Sequence, residues 1–155
     1  MVTDKGSLIQ LSPEHEQAST QEQSANVWDW FLKFDVPEGV EWVVKNGVYV
    51  VAKLYADGGS EISGQTKLAF AYKAPGDPTF EIISPEMTYR PFSNLTPSEQ
   101  RDSDYKSENM QIFFPRDEVS FEEDTPIYIV ANGPDSIDLA ESDSYFDFNV
   151  QEYEL

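Results

Sequence analysis

A chain of 155 residues, 39% hydrophobic and 14% aromatic, holds enough apolar material for one domain with a buried core, which excludes a disordered chain. Ten Lys and Arg against 29 Asp and Glu give a net charge of −19 (10 − 29), and no stretch is basic enough to neutralise a nucleic acid backbone or an anionic membrane surface. The absence of cysteine excludes disulfides, thiolate catalysis and every Cys-based metal site.

Acid excess with sparse Lys fits a protein that works in concentrated salt. About 8,000 Å² of surface for this mass leaves roughly 400 Å² per excess charge. The charges then stand about 20 Å apart, beyond a Debye length of about 8 Å, so uniform repulsion alone does not unfold the chain in ordinary buffer. Clusters such as Glu122-Glu123-Asp124 are more salt-sensitive.

Residues 1–25 read as a polar arm, either mobile or ordered against a neighbouring subunit, and residues 26–155 as the folded domain. Met1 to Gly6 lacks the apolar run of a secretory signal, and no segment has the length of a membrane span. A short helix could start after Ser12, with Pro13 in its first turn. From Val27 the texture changes. Trp28, Trp30, Leu32 and Phe34 alternate with Asp29, Phe31, Lys33 and Asp35, the period of a half-buried strand. Val40–Val44 and Val48–Tyr55 follow, separated by Asn46-Gly47, which predicts a hairpin.

Lys67–Tyr72 and Phe80–Ile83 are further strands, punctuated by Asp57-Gly58-Gly59 and Pro75-Gly76-Asp77-Pro78. Thr96 with Glu99 has capping-box spacing, so one or two helical turns are expected to run to about Asp104. Strands resume at Met110–Phe114, Val119–Phe121, Ile127–Val130 and Ser144–Val150. Eight or nine short strands, with at most one short helix, predict an all-β, antiparallel two-sheet sandwich of jelly-roll-like form.

Chemistry is scarce. The only histidine, His15, lies in the polar arm and reads as solvated, which removes catalytic triads and His-based zinc. Asp57-Gly58-Gly59-Ser60 lacks the Lys and helix of a phosphate loop and reads as a turn. Carboxylates abound, yet two of them fall close by accident in so acidic a chain, so no catalytic residue and no cofactor are expected. Calcium is the one exception to weigh, because it needs only oxygen ligands. Its weak candidates are Asp102 with Asp104 and Asp135 with Asp138, beside Glu122-Glu123-Asp124; none matches an EF-hand loop, and solvated charge is the plainer reading. Asn94-Leu95-Thr96 is a glycosylation sequon without a secretory context.

The aromatics carry more. Trp28, Trp30 and Trp42, with Tyr49 and Tyr55, fit a sugar-stacking platform, but aromatics at strand spacing more often form core or subunit interface. Trp28 and Trp30 on one strand face, with Phe31 on the other, leave both faces of that strand covered. These three residues are the interface candidates.

The polar arm before Val27, the run from Val48 to Tyr72 with its Asp57-Gly58-Gly59 turn, and Pro75-Gly76-Asp77-Pro78 together resemble small β-sandwich virion proteins of tailed viruses of halophilic archaea, of the capsid decoration, turret or connector type. The resemblance implies a non-enzymatic structural subunit of a virus particle, a homo-oligomer bound also to other virion proteins, with no catalytic residues to carry over. The expected function is therefore structural, in the virion and in high salt, with no nucleic-acid or membrane partner. A carbohydrate-binding or adhesion module of a halophile is the alternative, and an accessory domain of a larger cytoplasmic complex the third reading.

Overall fold

The computed structural model describes residues 6–13, 18–20, 23–56, 60–74, 76–89, 110–112, 118–139 and 145–155. Twelve strands and no helix occur among them. They are β1 (Ser7–Leu11), β2 (Ala18–Thr20), β3 (Asp29–Phe34), β4 (Val40–Lys45), β5 (Val48–Lys53), β6 (Lys67–Tyr72), β7 (Glu81–Ile82), β8 (Met87–Thr88), β9 (Met110–Ile112), β10 (Glu118–Phe121), β11 (Ile127–Asn132) and β12 (Tyr145–Glu154). All pairings are antiparallel, and they form two sheets. The expected helical turns at 96–104 lie outside the described residues, as does most of the helix considered after Ser12.

In the first sheet β12 is the central strand, paired with β1, β4 and β5, while β10 adds to β4 and β9 to β5. The registers fix the sides. β1 runs unbroken along β12 from Phe148 to Glu152, opposite Leu11 to Ser7, and so occupies one of its edges. On the other edge β5 covers Tyr145–Phe148 and β4 covers Gln151–Glu154. β4 and β5 therefore follow one another along β12 and are not the two arms of a hairpin. Asn46-Gly47 makes a jog within one long strand, with Gly47 at φ 78°, where a side chain on Cα is disfavoured. β9 and β10 follow one another in the same way along the far edge.

The second sheet runs β2-β3-β11-β6-β7, and β8 shares with β7 the free edge of β6. With β4/β5, β7/β8 and β9/β10 each taken as one interrupted strand, four strands face four. The connectivity is then that of an eight-stranded jelly roll, with β2 added at an edge.

Alternation carries the core. Trp42 and Val44, Val50 and Ala52, and Phe146, Phe148 and Val150 point inward from the first sheet. Leu32 and Phe34, Leu68 and Phe70, and Ile127, Ile129 and Ala131 meet them from the second. Phe148 lies at the middle, its ring centroid 5.0 Å from Phe70, 5.5 Å from Phe34 and 6.1 Å from Phe146.

The arm segment also contributes to the sandwich. Ser7–Leu11 alternates, so Leu11 is fully buried while Leu8 is 66% exposed, and Ala18–Thr20 pairs with Phe34 to Leu32. Gln23, polar by type, is completely buried. Its side-chain amide donates to the carbonyls of Val27 and Ala131 at 3.3 and 3.2 Å and also to that of Ser24, tying the entry of β3 to the end of β11.

One buried hydroxyl closes an end of the sandwich. The Tyr89 O–H donates to Glu61 Oε2 (2.5 Å) and accepts from the Leu54 N–H (3.0 Å). Burial, helped by the Glu61 bond, holds this phenol well above the usual tyrosine range. Tyr89→Phe leaves the Leu54 N–H buried without a partner, and an expected loss of about 1–3 kcal/mol will show as a lower midpoint in urea unfolding.

Candidate functional site

A β-bulge sets the site. Ile129 pairs with Leu32 and Val130 with Trp30, so Phe31 is an extra residue in β3 opposite nothing in β11. The extra residue reverses the alternation. Leu32 and Phe34 point into the core as their spacing predicts, but Trp30 lies on the opposite, outer face. Phe31, one of the three interface candidates, turns inward: it is fully buried, edge-on to Phe146 at 5.8 Å, and is core rather than outer surface. Trp28 and Trp30 remain together on the outside.

The outer face of the second sheet has a floor of small residues. Ala69, Ala71 and Val130 are fully buried beneath Trp28, Trp30, Phe80 and Tyr128. Tyr128 stands edge-on to both Trp30 (5.9 Å) and Phe80 (5.0 Å). Each of these four rings keeps part of its surface exposed. The sheet therefore carries a second, shallow apolar layer on the side away from the core. Sequence reasoning found Trp28 and Trp30 but missed Phe80 and Tyr128; the signal available was Ala69 and Ala71 in β6, small residues alternating with Leu68 and Phe70.

Lysines edge this layer. Lys33 Nζ lies 5.8 Å from the Tyr128 ring centroid and 3.2 Å from Asp35, and Lys73 Nζ lies 5.1 Å from the Phe80 ring centroid. Lys67, at the start of β6, donates to Thr88 Oγ1 at 2.9 Å. Beside Tyr128 a hollow of about 420 Å³ opens between Lys73, Gly76, Asp77, Pro78, Asp124 and Pro126. A second hollow, of about 350 Å³, lies where the sheet edges β7 and β10 approach, between Ile82, Ile83, Val119 and Phe121.

Of the calcium candidates, Asp135, Asp138 and Glu122-Glu123-Asp124 fall among the described residues. The Asp135 carboxylate accepts the Ser63 N–H at 2.9 Å, and the Asp138 N–H donates to the Tyr55 carbonyl at 2.9 Å, so both sit in loop-to-loop hydrogen bonding. Asp102 and Asp104 lie outside the described residues. Among the described residues no group of three or more His, Cys, Asp or Glu is arranged to hold a metal ion.

The antiparallel jelly roll, with its aromatic layer on one outer face, is an architecture that viral capsid domains share with lectin domains and cupins. Residues 26–151 match the family model of the major capsid protein VP16-like family, and the chain belongs to that family. Among solved structures it is similar in fold to VP17, a capsid protein of bacteriophage P23-77, with a TM-score of 0.56 and 7% identity over 99% of this chain and 98% of that one. The comparison with curated sequences finds no match. The chain is thus a structural protein of the virion.

Proposed function

We propose that this protein is a shell subunit that assembles with copies of itself and with a second virion protein, in concentrated salt, through the outer face of the second sheet. The observation that carries this reading is the aromatic layer of Trp28, Trp30, Phe80 and Tyr128 over Ala69, Ala71 and Val130. Aromatic side chains are the residues most enriched at interface centres, and they combine large area with little rotamer entropy. The salt requirement follows from charge. A chain of −19 meets its own copies against repulsion, and about 1 M salt shortens the Debye length to about 3 Å, confining that repulsion to direct contacts.

The Trp28→Ala/Trp30→Ala chain tests the assignment. Sedimentation velocity in molar KCl is expected to show association at least about tenfold weaker than wild type, with far-ultraviolet dichroism unchanged. Association at wild-type strength would remove this face from the assembly.

A further inference from the structure

We propose that Asn46-Gly47 is a site of spontaneous deamidation and main-chain isomerisation, and that the fold holds the identical dipeptide Asn132-Gly133 unreactive. Six asparagines occur in the sequence, and only these two precede a glycine. The glycine matters because the reaction begins at its backbone nitrogen, which no side chain then shields.

The Gly47 nitrogen loses its proton and bonds to Cγ of Asn46. The Cγ–Nδ2 bond breaks, and Nδ2 leaves with that proton as ammonia. Water then opens the resulting succinimide. Attack at Cγ gives aspartate; attack at the main-chain carbonyl carbon gives isoaspartate, in which the chain runs on through the side chain and is one carbon longer. Nothing is oxidised or reduced. Either product carries a carboxylate in place of an amide, which takes the net charge from −19 to −20 (−19 − 1).

The backbone separates the two sites. Ring closure requires the Asn side-chain carbon to swing onto the next nitrogen, so the chain must leave the extended conformation there. At Asn46-Gly47 it is free to turn. Val44 and Lys45 are in register with β10, and Val48 to Val50 with β9, so the ladders hold both flanks and stop at these two residues. Val43 stands opposite Gln151 and Val50 opposite Phe148, which leaves six residues (44–49) facing two of β12 (149–150). The surplus of four (6 − 2) is gathered in the jog. Asn46 is exposed, and Gly47 already stands at φ 78°.

Asn132-Gly133 differs on each count. Asn132 ends β11 in register with Lys67, and Gly133 is buried. The Gly133 carbonyl accepts the Asn26 N–H at 2.7 Å, and a Cβ on Gly133 would lie only 2.9 Å from Cα of Thr66. A residue kept extended in a ladder holds its side chain away from the next nitrogen. Reaction at Asn132 must therefore wait for the end of β11 to open, and its rate falls with the population of that open state.

The new carboxylate lies next in sequence to Lys45, whose ammonium pairs with Glu118 at 2.8 Å. The isoaspartyl form also lengthens the link between β4 and β5, which sit on β12 in separate registers. The chain thus ages at one fixed place on its first sheet.

The test follows ammonia loss by mass spectrometry of the peptides around residues 46 and 132. The full wild-type chain is incubated at mildly alkaline pH, folded in molar KCl and, in parallel, unfolded in guanidinium chloride. In the folded chain Asn46 is expected to convert at least about tenfold faster than Asn132, and the two rates should converge on unfolding. Ammonia loss is the readout because Asp57-Gly58, outside the described residues, can isomerise without it. Asn46→Gln, which would have to close a larger ring, should keep its elution position on anion exchange while wild type gains charge. Equal rates in the folded chain, or a faster Asn132, would overturn the proposal. So would an Asn46 that is stable in the folded chain yet converts in the unfolded one, or an Asn46→Gln chain that gains charge as fast as wild type.

Discussion

Phe148→Ala is expected to lower stability by about 3–5 kcal/mol. Phe148 is 2% exposed and stands at the middle of β12, the strand that holds the first sheet together. Its ring touches partners from both sheets: Phe34 and Phe70 across the core, and Phe146 on its own strand. Truncation removes the transfer free energy of the ring and also leaves a void that neither sheet can close alone. Each neighbour is held in register by its own ladder, so the walls cannot simply collapse inward. At about 2–4 °C per kcal/mol for a chain of this size, the melting midpoint should fall by roughly 6–20 °C. Phe148→Leu, which refills most of the volume, should recover more than half of that loss. A fall of only a degree or two in Phe148→Ala would mean that the sheets relax together, and that the core is far less rigid than its packing implies.

Much of this fold was legible because period-2 alternation is a local signal. Val40–Val44, Lys67–Tyr72 and Ile127–Val130 were read as strands and are strands. Alternation fails, however, wherever the backbone slips by one residue. Nothing in Trp30-Phe31-Leu32 marks Phe31 as the bulge, because three large apolar residues satisfy either phase. The site was therefore half visible: Trp28 and Trp30 were found, but their relation to Leu32 and Phe34 was inverted. Asn46-Gly47 misled for a related reason. It is suited to a tight turn, but whether its flanks pair with each other depends on β12, a hundred residues downstream. Such long-range competition leaves no trace in a local window. Gln23 shows the third limit, since a polar residue in a polar stretch reads as solvent-facing until the carbonyls it satisfies are placed around it.

Gly133→Ala is expected to destabilise by about 1–3 kcal/mol and to weaken assembly beyond what that loss explains. A Cβ at this position would lie 2.5 Å from Thr66 Oγ1 and 2.9 Å from both Cα and Cβ of Thr66. No rotamer change relieves a clash with Cα. The end of β11 must instead move away from the residue that leads into β6. Both neighbours resist, because Thr66 is fully buried and its carbonyl accepts the Tyr89 N–H at 2.8 Å. On the other side, the Gly133 carbonyl accepts the Asn26 N–H at 2.7 Å, two residues before Trp28. Displacement of Gly133 therefore passes directly to the segment that carries Trp28 onto the outer face, where Gln23 also binds Ala131. Adding Thr66→Ala removes the Oγ1 contact but leaves Cα and Cβ in place, so the double variant should regain only part of the stability. Thermal melting and sedimentation on the same samples decide the outcome. A Gly133→Ala chain that melts and associates like wild type would show that this junction yields freely, and that Trp28 is not held from below. If stability falls while association survives, the strand contact is tight but the aromatic face is set elsewhere. Loss of both, with partial recovery of both in the double variant, is what the geometry requires.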